Sequence, residues 1–120
     1  MKIRVYYEDT DCGGIVYFAN YLKFCERARS NIFFEKGLSP HQDTEFFVVK
    51  GIEAEYIKSA KFGDLLDVTT KVLSKTAVRV EILQEVYREN ELLFFSKVKL
   101  VYLKNSKPAR IPKQILEIFE

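Results

Sequence analysis

Between residues 6 and 21 the chain reads Tyr-Tyr-Glu-Asp-Thr-Asp-Cys-Gly-Gly-Ile-Val-Tyr-Phe-Ala-Asn-Tyr, and its unusual chemistry is densest there. Two carboxylates stand one residue apart, Asp9 and Asp11. They are followed by Gly13 and Gly14, which permit a tight backbone path. A helix start just beyond would supply N–H groups without intrahelical acceptors and a partial positive charge. A carboxylate beside such donors suits acyl transfer: one group activates or delivers a nucleophile and others hold an oxyanion. The same spacing suits an ordinary loop whose acids cap a turn or face water. On the residues alone both readings stand.

Other chemistries find less support. His41, the single histidine, lies in Ser39-Pro40-His41. Without a Gly-x-Ser-x-Gly elbow it has no triad to join, and an exposed loop histidine is the expectation. No His, Cys or acid cluster has metal-ligand spacing, so neither metal nor cofactor is expected. Cys12 and Cys25 lack the partners of a disulfide framework and are expected to be free thiols, with the cytoplasm as the default compartment. Glu26, Arg27 and Arg29 read as polar contacts along a helix or between subunits.

These residues need a frame to position them. Residues 2–8 read as a short strand. A helix is predicted from about Asn20 to Lys36: Tyr21, Phe24, Cys25, Ala28 and Ile32 recur at spacings of three and four. Asn20 suits its N-cap and Gly37 its stop. From Phe46 the period becomes two. Successive inward faces are Ile52, Ala54, Tyr56; then Leu66, Val68, Thr70, Val72; then Val78, Val80, Ile82, Gln84, Val86; then Leu92, Phe94, Ser96, Val98, Leu100, Tyr102. The breaks at 61–64, 74–76 and 88–91 are short enough for antiparallel hairpins. One helix laid across the apolar face of a large antiparallel sheet gives an α+β domain. Its edge strands must be covered or paired, and a second copy is one way to do so.

At 120 residues the chain is expected to be a single domain spanning 1–120. Its net charge is +2, too near zero to argue for nucleic acid, and there is no RNP-type motif or glycine-rich clamp. From Lys97 to Lys113 six basic residues occur without an acid. They form a solvated face and tail or a local field for an anionic ligand. No apolar h-region follows Met1, and no stretch has the length a membrane span needs.

The run Tyr7-Glu8-Asp9-Thr10-Asp11-Cys12-Gly13-Gly14-Ile15-Val16-Tyr17, continued by Asn20-Tyr21-Leu22-Lys23-Phe24 and Glu26-Arg27-Ala28-Arg29, resembles the signature of the 4-hydroxybenzoyl-CoA thioesterase superfamily. It is most similar to the YbgC-type acyl-CoA thioesterases. The likeness continues through Phe47-Val48-Val49 and Ala109-Arg110-Ile111-Pro112-Lys113 and covers essentially the whole chain. It implies a hotdog fold, in which a curved antiparallel sheet wraps a long central helix. It also implies homodimers or homotetramers with active sites between subunits, and an acyl-CoA or acyl carrier protein thioester as substrate. By the same resemblance Asp11 is the catalytic carboxylate, as nucleophile or as general base. The backbone N–H of Phe18 is then the oxyanion donor, with Gly14 and Tyr17 beside the substrate. Lys75 and Arg79, read from the residues alone beside a predicted hairpin, are either exposed point charges for the coenzyme A phosphates or a solvated surface. The family pattern usually has histidine at position 18: if an imidazole assists there, phenylalanine removes that help and slows turnover; if the backbone N–H is the working group, phenylalanine keeps it and only makes the pocket more apolar. The alternative is a non-catalytic hotdog protein that binds acyl chains or a protein partner.

Overall fold

The computed structural model describes residues 1–11 and 13–119; Cys12, expected to be a free thiol, lies outside them. The strands are β1 (Lys2–Arg4), β2 (His41–Gln42), β3 (Glu45–Tyr56), β4 (Leu65–Lys75), β5 (Arg79–Arg88), β6 (Glu91–Lys104) and β7 (Lys107–Pro108). The helices are α1 (Asn20–Glu35) and α2 (Lys113–Leu116), with 3₁₀ turns at Tyr7–Asp9 and Glu117–Phe119. The sheet runs β1-β4-β5-β6-β3-β2, with β7 also on β6, and every pairing is antiparallel. It curls around α1, which lies over β4 and β5. The expected α+β architecture is borne out, and so are the hairpins at 74–76 and 88–91. The break at 61–64 is not a hairpin, because β3 pairs with β6 and the chain crosses from there to β4, with β5 and β6 lying between them.

Helix α1 forms because Tyr21, Phe24, Cys25 and Ala28 make one buried stripe. Past Ala28 the stripe continues through Phe33, 3% exposed, while Ile32 is only half-buried. The predicted N-cap is displaced by one residue. Ala19 occupies that position, and Asn20 instead donates from Nδ2 to the Asp9 carbonyl at 2.8 Å. The C-terminus closes as expected. Gly37 takes φ +72°, and Gly37 and Leu38 donate back to the carbonyls of Phe34 and Phe33 in a Schellman arrangement. The predicted 2–8 strand is shorter, because the chain turns into the 3₁₀ segment where the Asp9 carboxylate accepts the Tyr6 N–H at 2.9 Å.

The core has two basins. One gathers Val5, Tyr21, Phe24, Leu66, Val68, Val86 and Phe94 under the first half of α1. The other gathers Phe33, Val80, Ile82, Val98, Tyr102 and the C-terminal Ile111, Ile115 and Phe119. Between them runs a polar row. Thr70, Gln84 and Ser96 are cross-strand neighbours, and Gln84 and Ser96 are fully buried. Gln84 Nε2 donates to the Cys25 carbonyl at 2.9 Å and to Thr70 Oγ1 at 3.1 Å, while its Oε1 accepts from Arg29 Nη1 at 2.8 Å. A buried amide is tolerated because its hydrogen-bonding groups are used.

One expected core face is not covered. Ile52, Ala54 and Tyr56 stand opposite Val98, Ser96 and Phe94 on the inner side of β3, yet all three are exposed. The helix lies over β4 and β5, and β2 covers only Glu45 and Phe46, so the rest of β3 is an open edge. A one-residue irregularity between Val49 and Gly51 bends the strand there. A second register shift, between Val86 and Tyr87, turns Leu93 inward and leaves Leu92 half-buried.

The connection 57–64 is held by charge. Arg88 bridges Asp64 Oδ2 at 2.8 Å and Glu91 at 2.7 Å, and Lys58 reaches Glu91 at 2.6 Å. Burial pushes the Asp64 carboxyl up, but hydrogen bonds from Arg88 and the Lys61 N–H outweigh it and hold the group below its ordinary value. Stability from a depressed carboxyl is complete above the unfolded value of about 3.9 and is lost as pH falls through the folded one. The melting-temperature gap between the parent and Asp64→Asn, read by calorimetry, should therefore be open at neutral pH and close in acid.

Candidate active site

The two acids of the N-terminal motif part company in the fold. Asp9 is structural: its carboxylate accepts the Tyr6 N–H, and its carbonyl accepts from Asn20 Nδ2 and from the Tyr17 N–H at 3.0 Å. These bonds fix the approach to α1. Asp11 sits at the start of a tight turn, in which its N–H donates to Ile15 O at 3.0 Å and Gly14 N–H donates to Asp11 O at 3.1 Å. Gly14 supplies φ +75° for that turn, a conformation side chains disfavour. The Asp11 side chain is exposed, and its Oδ1 accepts the Gly13 N–H at 2.9 Å. No hydrogen bond to Oδ2 is found among the described residues.

Asp11 borders a depression of about 330 Å³ with Ile15, Val16, Tyr17, Phe18, Tyr21 and residues 56–59. Its wall is aromatic. Phe18 lies 4.8 Å from Tyr17 and 5.9 Å from Tyr56, centroid to centroid, and Tyr56 lies 4.9 Å from Phe94. Tyr21 secures the floor. Its ring stacks on Phe94 at 5.0 Å, and its oxygen accepts the Ala60 N–H at 2.9 Å. Burial raises the Tyr21 pKa, the Ala60 bond opposing it, so this phenol stays protonated. Phe18 falls in the turn just before α1, and its N–H finds no backbone acceptor among the described residues.

Of the residues singled out from sequence, Asp11, Tyr17 and Phe18 thus meet around one depression. Gly14 stands in the turn behind it. Lys75 and Arg79 are elsewhere in the chain, where the β4–β5 hairpin, Lys50 and Lys99 surround a second depression of about 270 Å³ that also holds Glu81. Lys50, Lys99, Tyr56 and Lys58 were not anticipated. Lys50 and Lys99 come together only through strand pairing, and Tyr56 was read as core. His41 is exposed as expected, stacked on Phe46 at 4.6 Å. No cluster able to hold a metal occurs among the described residues. Nor is any of their helices long and apolar enough to cross a membrane.

Comparison with known proteins gives concordant matches. The thioesterase superfamily profile matches residues 13–94. The acyl-CoA thioesterase YbgC of Helicobacter pylori strain 26695 is 39% identical over 129 residues, spanning 98% of this chain and 97% of that protein. The acyl-CoA thioester hydrolase YbgC of Escherichia coli O6:H1 is 35% identical over 124 residues, covering 98% and 92% respectively. Among solved structures, a probable thioesterase from Bartonella henselae superposes with a TM-score of 0.87 at 30% identity, over 93% of this chain and 97% of its own.

Proposed function

The chain belongs to the thioesterase superfamily, and from that premise we propose that it hydrolyses acyl-CoA thioesters at the Asp11 depression. The observation that carries the reading is the meeting of three features. These are a carboxylate whose Oδ2 takes no hydrogen bond and a helix-start N–H that finds no acceptor, both among the described residues, and an aromatic wall for an acyl group. An acyl carrier protein thioester offers the same reacting group and is the second substrate to try.

In this mechanism the thioester carbonyl oxygen points at the Phe18 N–H, which takes up its developing negative charge. Asp11 either attacks the carbonyl carbon itself or removes a proton from the water that does. In both routes the carbon–sulfur bond breaks and the thiolate leaves with the electron pair; on the first, water then cleaves the Asp11 mixed anhydride, releasing the acid and restoring the carboxylate. A thiol pKa near 8.5 makes that departure undemanding, so no separate acid is needed. Gly13 fixes the Asp11 carboxylate through Oδ1 and leaves Oδ2 for the chemistry. The oxyanion donor is backbone, so Phe18→His should change kcat less than about tenfold, below the roughly 10²–10⁴ of a true acid–base group. Steady-state thiol release with one acyl-CoA checks this.

The four cations Lys50, Lys75, Arg79 and Lys99 suit the coenzyme A phosphates. Exposed pairs contribute roughly 0.2–1 kcal/mol each. Lys75→Ala/Arg79→Ala should therefore raise KM by about two- to thirtyfold at unchanged kcat, with the difference shrinking as salt is added.

We assign the open edge of β3 to a second copy, making a homodimer that can pair further into a tetramer. The uncovered face of Ile52, Ala54 and Tyr56 beside that unpaired edge supports this. The direct test of function is thiol release from short, long and aromatic acyl-CoAs. Release above the uncatalysed rate with at least one is expected. Saturable binding without release would make the chain a binding protein.

A further inference from the structure

The turn that carries Asp11 is not fixed by the N-terminal segment alone. Residues 14–16 run antiparallel to residues 60–62. The Val16 N–H donates to the Ala60 carbonyl at 2.9 Å, the Phe62 N–H donates to the Gly14 carbonyl at 3.1 Å, and Ile15 faces Lys61 between them. Asp11 hangs from this ribbon, its N–H on the Ile15 carbonyl and its own carbonyl on the Gly14 N–H. The ribbon continues residues 56–59, which wall the depression, and its Ala60 N–H tethers the Tyr21 oxygen at 2.9 Å. Carboxylate, wall and floor therefore share one support.

That support leaves the sheet after Lys58, whose N–H still reaches the Leu93 carbonyl, and from there Arg88 holds it. Arg88 Nη1 meets Asp64 Oδ2 at 2.8 Å and lies 3.4 Å from the Ser59 carbonyl. Its Nη2 meets Glu91 at 2.7 Å, and Glu91 holds Lys58 at 2.6 Å. Asp64 Oδ2 in turn accepts the Lys61 N–H at 2.8 Å. One guanidinium fork thus grips the connection on both sides of the three residues that pair with 14–16, which a lysine, with a single nitrogen, cannot do.

We propose that Arg88 and Asp64 are positioning residues for thioester hydrolysis, holding residues 60–62 where they set Asp11 and the wall of the depression against the Phe18 N–H. The inference rests on the reading of the Asp11 depression as the active site. Neither residue borders the depression, so each acts only through the connection. A misplacement of about 1 Å can cost on the order of 10²-fold in rate, whereas partly exposed ion pairs contribute modestly to stability. Activity should therefore fall much further than stability.

Arg88→Met removes the fork and keeps an unbranched stem. With the acyl-CoA that the parent turns over fastest, at a temperature where melting curves show both proteins folded, its kcat should fall about 10- to 100-fold. Arg88→Lys, which can meet one carboxylate at a time, should recover part of that loss. Asp67→Asn is the control. It removes ion pairs to Lys2 and the N-terminus, which lie outside the connection, and should leave kcat unchanged. Amide hydrogen exchange reads the support without reference to activity. In Arg88→Met the Asp11, Val16 and Phe62 amides should lose protection by at least about tenfold, while those of β5 and β6 keep theirs. A folded Arg88→Met variant within about twofold of the parent's kcat would overturn the inference and leave the proposed hydrolysis standing. So would an equal loss in Asp67→Asn, or unchanged protection at those amides. A parent that releases no thiol would instead remove the proposed function, and the positioning role with it.

Discussion

Asp11→Asn should abolish nearly all thiol release while leaving the fold intact. Asparagine keeps the shape, and its side-chain oxygen can still accept the Gly13 N–H that holds the carboxylate at 2.9 Å. Asp11 is exposed, so little stability rides on its charge. What disappears is a carboxylate able to attack or to take a proton. The size of the loss separates the two routes. Removing a general base costs about 10²- to 10⁴-fold, whereas removing a nucleophile has cost on the order of 10⁶-fold in kcat elsewhere. Measurement of kcat/KM for the parent and variant, with a melting curve for each, reads both chemistry and fold. A variant within tenfold of the parent would take Asp11 out of the chemical step.

The largest effect on stability is expected at Gln84. Methionine has a similar length and fits a buried slot, but it cannot hydrogen-bond to three partners at once. Gln84→Met would leave the Cys25 carbonyl and the Arg29 guanidinium without their bonds to the amide. The Cys25 carbonyl keeps its place in the α1 hydrogen-bond ladder, so the group orphaned is the guanidinium, and a loss of about 1–3 kcal/mol is expected. The Thr70 oxygen, which accepts from the amide, is half-buried and can take a donor from water instead, so it adds little. Urea denaturation gives the number through the midpoint at constant slope. A loss below about 1 kcal/mol would mean that water or a shifted Arg29 replaces the amide.

Sequence periodicity reached far in this chain. The α1 stripe, the inward alternation of β5 and β6 and the hairpins between β4, β5 and β6 follow from local spacing, and even Gln84 fell on the inward face that alternation assigned to it. What periodicity cannot give is the layer above a strand. Ile52, Ala54 and Tyr56 keep their face but lose their cover, because burial depends on where the helix is laid. One-residue irregularities are equally invisible, so Leu92 and Leu93 exchange roles. The site was legible in part. Asp11, Tyr17 and Phe18 lie close in the chain and meet around one depression. Tyr56, Lys58, Lys50 and Lys99 reach their places only through pairing between distant strands. The division of labour between Asp9 and Asp11 rests on backbone bonds to Tyr6, Tyr17 and Asn20, which no spacing of side chains announces.

The long bare flank of β3 also has a bearing on how the protein lives in solution. On the proposed pairing with a second copy, folding becomes a matter of mass action, and heat resistance should rise with concentration and fall on dilution. When the chain is dilute, or newly made, that flank is available to any extended segment it meets. Lys50, Glu53 and Glu55, all exposed along this stretch, set charges beside the uncovered backbone and so discourage chance partners.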